Sequence, residues 1–161
     1  AAGAHVTAVD KSEARLKRLR ENLARTKLEA EVICADALQF KAEPFDAILL
    51  DAPCSAAGIV RRHPDVRWLR RPDDIRALAQ TQTELMDALW PLLKPGGRLL
   101  YATCSIFRAE GQAQADAFLQ RQSDAQPLPL GPLGGHLLPV ADNDRPAFDG
   151  FFYAHFAKRP P

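Results

Sequence analysis

The sequence lacks most of what would place it outside ordinary folded domains. Its 161 residues contain three cysteines, an odd number with no metal-ligand spacing. Neither a disulfide framework nor a zinc site is expected; reduced thiols in a cytoplasmic setting are. No apolar run reaches the length needed to cross a bilayer. The first ten residues have neither the basic start nor the long apolar stretch of a secretory signal, and they read as the middle of a folded domain. There is no internal repeat.

What is present is ordinary in amount and uneven in placement. Hydrophobic residues make up 47% and charged residues 25%, spread along the chain. This excludes disorder and fits one α/β-sized domain over residues 1–161 with a sizeable core. The net charge of +1 hides a basic segment in which Arg61, Arg62, Arg67, Arg70 and Arg71 face a single Asp65. Such a run suits a solvated face as well as a polyanion contact.

Short apolar runs alternate with amphipathic stretches. His5 to Val9 reads as a strand ending in Asp10, followed by a helix capped by Ser12 with Leu16, Leu19 and Leu23 on one face. Glu31 to Cys34, ending near Asp36, and Phe45 to Leu50, ending in Asp51, are two more strands, the latter of the buried type. A helix over about Asp73 to Leu93 stops at Lys94-Pro95-Gly96-Gly97, and a strand over Arg98 to Ala102 leads to Thr103-Cys104-Ser105. A helix over Ala109 to Gln122 follows, with Ala113, Ala117, Phe118 and Leu119 for its inner face. Gln126 to Pro146 reads as an irregular excursion, and Phe151 to Phe156 as a closing antiparallel strand. The alternation predicts a Rossmann-like, doubly wound parallel sheet, in which ligands bind outside the carboxyl ends of the strands. Asp10, Asp36, Asp51, Cys54 and Cys104 all belong at such ends.

An acid ending the first strand suits the two hydroxyls of a ribose, because one carboxylate accepts both hydrogen bonds. Asp36 is suited to an adenine amino group or to a plain turn. For all three cysteines the bland reading is a small buried hydrophobe, and for Cys34, which has apolar neighbours and no motif, that reading is the expectation.

Asp51-Ala52-Pro53-Cys54-Ser55 and Tyr101-Ala102-Thr103-Cys104-Ser105 carry a sharper signal. With the strand-end acids, the basic segment after the first motif, Leu93 to Ser105 and the closing Asp149-Gly150-Phe151-Phe152-Tyr153-Ala154, nearly the whole chain resembles the Nop/Sun family of RNA cytosine-5 methyltransferases. The bacterial branch acting on small-subunit ribosomal RNA is the most similar. The resemblance implies the class I S-adenosyl-L-methionine-dependent methyltransferase fold, with S-adenosyl-L-methionine held by Asp10, Asp36 and Asp51. It also implies Cys104 as the nucleophile, Cys54 as the residue that assists release, and Asp51 on the base edge. The chemistry calls for such residues independently: carbon 5 of cytosine is a weak nucleophile until a thiolate adds at carbon 6. The resemblance further turns Arg61, Arg62, Arg67, Arg70 and Arg71 towards the RNA phosphates that flank a flipped-out cytidine. Trp68 suits stacking on a base, and the commoner role of such a residue, a core anchor for its loop, is the expectation.

The chain departs from the family pattern in places. Ala57 stands where threonine is common, and Arg108-Ala109-Glu110-Gly111 replaces a typical Pro-Glu-Glu-Asn. Relatives carry a glycine-rich cofactor loop before the strand of Asp10, where this chain has only Gly3; Gly131 to Gly135 follows no strand and does not replace it. The expectation is the carboxyl-terminal part of a longer enzyme, lacking the central strand and that loop. Three alternatives compete with an RNA methyltransferase: a catalytically inert RNA-binding fragment, a nucleotide-dependent dehydrogenase, and a DNA methylase, the last two disfavoured by the paired cysteine motifs.

Overall fold

A computed structural model describes residues 3–139 and 148–160, which divide into two compact units between residues 42 and 43. In the first, β1 (Thr7–Asp10), α1 (Glu13–Thr26) and β2 (Glu31–Cys34) form where the alternation predicts them. The Ser12 hydroxyl accepts from the Arg15 N–H at 3.4 Å, and the helix ends at Lys27 in a left-handed conformation (φ 55°). Leu16 is buried. β1 and β2 pair in parallel from Thr7 opposite Glu31 to Asp10 opposite Cys34, so Asp10 ends its strand beside the end of its neighbour. Cys34 itself is exposed, which corrects the expectation of a core thiol.

The second unit contains β3 (Phe45–Asp51), α2 (Val66–Leu69), α3 (Pro72–Leu89), β4 (Leu93–Thr103), α4 (Gln112–Arg121), β5 (Ala125–Leu128), β6 (Gly135–Leu137) and β7 (Phe151–Lys158). Its sheet runs β3-β4-β7-β5, with β6 also beside β7. β3 and β4 are parallel, and β7 is antiparallel to β4, β5 and β6. The closing antiparallel strand is therefore where the sequence places it. The stretch read as an irregular excursion instead supplies β5 and β6, although part of it, residues 140–146, lies outside the described residues. Short polar and proline-containing strands of this kind give little periodic signal.

Three further differences have physical causes. β4 begins at Leu93: α3 already ends at Leu89, short of the expected Leu93, and the Lys94-Pro95-Gly96-Gly97 turn is accommodated as an irregularity in the ladder, where Phe45 pairs with Leu93 yet Ala47 pairs with Arg98. Gly96 takes φ +79° there. Among the described residues β3 has a single strand partner in its sheet, so only Leu50 is buried and Leu49 stays 67% exposed, against the fully buried strand expected. α4 presents Gln114, Ala115 and Phe118 inward while Ala113 is exposed, because residues three and four before Phe118 share its face and the residue five before it does not.

The core of this unit forms where α3 and α4 lie on the sheet. Met86, Trp90, Leu99, Tyr101, Phe118, Phe152 and Phe156 are all buried. Phe118 meets the Trp90 ring edge-on at 5.1 Å and the Phe156 ring at 5.0 Å. No helix among the described residues is long and apolar enough to cross a membrane. Phe118→Ala is expected to lower the unfolding free energy by about 3–5 kcal/mol, measured as a lower urea midpoint at unchanged slope.

Candidate functional site

Parallel pairing of β3 and β4 sets Asp51 opposite Ala102, and beyond these residues both chains leave the sheet on the same side. The Ala52 N–H still donates to the Ala102 carbonyl at 3.0 Å. Two residues further on each strand, the thiols of Cys54 and Cys104 meet at 3.3 Å. Neighbouring strands are about 4.8 Å apart, so two loops leaving adjacent strands in step bring the side chains into contact.

Both Cys-Ser steps are then fixed in the same way. The Ser55 hydroxyl accepts from the Ala57 N–H at 3.3 Å, and the Ser105 hydroxyl accepts from the Phe107 N–H at 3.1 Å. Each hydroxyl donates to Oε2 of Glu110 at 2.6 Å. Oε1 of Glu110 receives the Ser55 N–H at 2.8 Å and the Gln82 amide at 3.3 Å. All four partners are donors, which suits an acceptor-only carboxylate. Glu110, Gln82, Ser55, Ser105 and Thr103 are fully buried. The Gln82 amide also donates to the Pro53 carbonyl at 2.9 Å, and the buried Tyr101 hydroxyl lies within donating distance of Gln82 Oε1 and the Glu110 carbonyl.

The outer side of the Cys54 loop is held by backbone contacts. Ala56 adopts a left-handed conformation (φ 61°) that a residue with a side chain keeps only when its surroundings impose it. Gly58 donates its N–H to the Cys104 carbonyl at 2.9 Å and accepts from the Gly150 N–H at 2.7 Å. A Cβ at Gly58 would collide with the Gly150 backbone. The second thiol loop and the segment before β7 therefore both close on this one glycine.

The two thiols differ in ionisation. The hydrogen bond from Cys54 lowers the Cys104 thiol to about 7, against burial and the negative charge of Asp51. The same contact, followed by burial, pushes Cys54 up. The pair thus favours a Cys104 thiolate accepting a hydrogen bond from a neutral Cys54.

Asp51 is exposed at the end of β3. In the other unit, the Asp10 carboxylate accepts from Arg15 Nε and Nη2 and from the Ser12 N–H, each at 2.7 Å, and the Arg15 hydrogen bond holds its ionisation below the usual carboxylate range. Asp36 caps its own turn, accepting from the Leu38 N–H at 3.0 Å, as its turn reading predicts.

All five arginines of the basic segment are exposed. Three are also engaged internally: Arg62 pairs with Asp149 at 2.6 Å, Arg67 Nε donates to the Pro64 carbonyl at 3.3 Å, and Arg70 Nε donates to the Ser55 carbonyl at 2.9 Å. Trp68 is 81% exposed with the Arg67 guanidinium over its ring, so it does not anchor the loop in the core. Sequence reasoning missed Glu110 and Gln82. Gln82 has a signal, a polar residue inside the apolar stripe formed by Leu78, Leu85, Met86 and Leu89. Glu110 has none beyond being the acid retained in the altered Arg108-Ala109-Glu110-Gly111 stretch.

The family model described as 16S rRNA methyltransferase RsmB/F matches residues 1–157. The ribosomal RNA small subunit methyltransferase B of Vibrio cholerae serotype O1 is 52% identical over 160 residues, covering 96% of this chain and 36% of that protein. The protein of the same name from Serratia proteamaculans is 50% identical over 162 residues, covering 96% and 37%. The chain thus spans little more than a third of the length of these relatives. The crystal structure of NSun6 from Pyrococcus horikoshii with SFG superposes with a TM-score of 0.83 at 26% identity, covering 98% of this chain and 42% of that one. A methyltransferase homolog protein from Pyrococcus horikoshii gives 0.77 at 29% identity, covering 96% and 53%. The fold is the Rossmann-like α/β fold of these methyltransferases.

Alkylation of Cys104, followed by peptide mass mapping, is expected to be half-maximal near pH 7. Cys54→Ala removes the donor to the thiolate, so the midpoint should rise towards the ~8.5 of a free thiol. An unchanged midpoint would break the assignment of donor and acceptor.

Proposed function

The chain belongs to the 16S rRNA methyltransferase RsmB/F family, and from that premise we propose that it carries the catalytic thiols of an enzyme that methylates carbon 5 of a cytidine in small-subunit ribosomal RNA in the cytoplasm. The observation that carries this reading is the contact of two thiols at 3.3 Å, each just past the end of one of two adjacent parallel strands. One thiol is poised to ionise and the other to hold its proton.

Each role follows from the residue type. The Cys104 thiolate adds to carbon 6 of the cytosine while the ring nitrogen at position 3 gains a proton, which makes carbon 5 an enamine carbon. Asp51, exposed at the strand end, is the group to hold that edge of the base. S-adenosyl-L-methionine, when bound, supplies the methyl group that carbon 5 takes. Water takes the carbon 5 proton, the carbon 6–sulfur bond breaks and the proton at position 3 leaves again, which returns the Cys104 thiolate and releases the neutral methylated base. Cys54 assists this last step, because its proton stabilises the departing sulfur.

The residues of β1 and β2 fit the cofactor by the chemistry of their acceptors. Asp10 ends β1 and Asp36 follows the end of β2, its parallel neighbour, and both are acceptor-only carboxylates. The Asp10 side chain is 29% exposed, and the Arg15 side chain over it is 63% exposed, so the guanidinium can yield to ribose hydroxyls.

Arg61, Arg62, Arg67, Arg70 and Arg71 are assigned to the RNA backbone. Arg61 and Arg71 are the cleaner test, since Arg62 and Arg70 also hold Asp149 and the Ser55 carbonyl.

In the intact protein, Cys104→Ala should abolish methyl transfer. Cys54→Ala should instead let a covalent protein–RNA species accumulate, visible as a shifted band on a denaturing gel. Normal turnover of the Cys54 variant without adduct would overturn the roles. Replacing Arg61 and Arg71 together with alanine should weaken RNA binding and flatten the slope of log affinity against log salt by about 0.7 for each phosphate left unneutralised. An unchanged slope removes both arginines from the RNA interface.

A further inference from the structure

We propose that Glu110 is a positioning residue for this pair of thiols: its buried carboxylate ties the Cys54-Ser55 and Cys104-Ser105 steps to one anchor and thereby sets the distance between the two sulfurs. The inference rests on the thiol pair being the reacting groups, but its geometry stands by itself.

Cys54 and Cys104 are fifty residues apart in sequence, and nothing covalent relates the loops that carry them. The strand pairing ends at the Ala52–Ala102 hydrogen bond, short of both cysteines. Beyond that point the Gly58 N–H reaches the Cys104 carbonyl at 2.9 Å and the Ser55 and Ser105 hydroxyls meet at 3.3 Å, and beneath both serines Glu110 Oε2 accepts a hydrogen bond from each hydroxyl at the same 2.6 Å. Because each serine directly follows its cysteine and also bonds the backbone two residues further on, fixing the hydroxyl fixes the turn from which the thiol projects. Oε1 adds the Ser55 N–H, and Gln82 links the same oxygen to the Pro53 carbonyl. A loop held at Pro53, at the Ser55 N–H and at the Ser55 hydroxyl has little freedom left for Cys54.

Glu110 is fully buried beneath the serines and acts on the thiols through Ser55 and Ser105. Its charge works in the opposite sense to its hydrogen bonds: as a nearby negative charge it disfavours the Cys104 thiolate, while the placement it enforces supplies that thiolate with its Cys54 donor. Removing the side chain therefore has two effects of opposite sign on the same thiol.

The test is the pH profile of Cys104 alkylation by iodoacetamide in the intact protein. Mass mapping locates the label, the exposed Cys34 serves as reference, and circular dichroism reports the fold. This readout does not depend on methyl transfer, so it separates the positioning role from the assigned reaction. Glu110→Ala is expected to move the midpoint up from about 7 towards the ~8.5 of a free thiol. Glu110→Gln keeps one acceptor, enough for the Ser55 N–H, but turns a donor towards the two hydroxyls, which must rotate to accept from it; with the tie partly kept and the charge lost, its midpoint should rise less than that of Glu110→Ala. Ser105→Ala, which cuts one tie and keeps the carboxylate, should raise the midpoint, and it decides the matter if Glu110→Ala does not fold. A midpoint in folded Glu110→Ala, or in Ser105→Ala, that is unchanged or lower overturns the proposal. So does a rise in Glu110→Gln as large as that in Glu110→Ala.

Discussion

The parallel pairing of β3 with β4 is the constraint from which the rest of the site follows. Parallel strands share a direction, so their carboxyl ends share an edge, and two loops leaving that edge start side by side. An antiparallel pair would have sent the two cysteine motifs to opposite ends of the sheet. The pairing only brings the loops close, and the contact of two sulfurs at 3.3 Å requires a further constraint. The buried polar group of Ser55, Ser105, Gln82, Tyr101 and Glu110 supplies it.

Burying that much polarity is unfavourable unless every group finds a partner. Here donors and acceptors match. Two hydroxyls, one backbone N–H and one side-chain amide meet a carboxylate that can only accept. An apolar core at the same place would be easier to assemble, but it would leave the loops free to slide. Hydrogen bonds are directional and hold the two Cys-Ser steps in register. The site is thus rigid beneath the thiols and open above them, where Asp51 and the basic segment are exposed.

Elements were legible in the sequence wherever periodicity carried them. β1, α1, β2, β3 and β7 stand where apolar spacing puts them, and the thiol pair was readable because each cysteine follows a strand and sits in a motif. Elements held by tertiary pairing were not readable. β5 and β6 are short, contain proline or glycine, and exist because β7 offers them an edge. Cys34 and Trp68 were misplaced for the opposite reason. An apolar residue type says what a side chain tolerates, and both of these stay exposed. Glu110 was invisible because its partners come from two loops fifty residues apart, a relation that local pattern does not encode.

The glycine contact at the mouth of the Cys54 loop also sets an order in time. Gly58 takes its place only when the Gly150 backbone is there to meet it, and β7, which follows Gly150, inserts between β4 and β5, strands formed from earlier sequence. During synthesis the two cysteine loops therefore emerge long before their outer brace. Pairings of such wide sequence separation form late and slowly. The nascent chain lacks this outer brace of the Cys54 loop until the β7 segment arrives, and among the described residues the last strand of the sheet to be made completes the surroundings of the first cysteine motif.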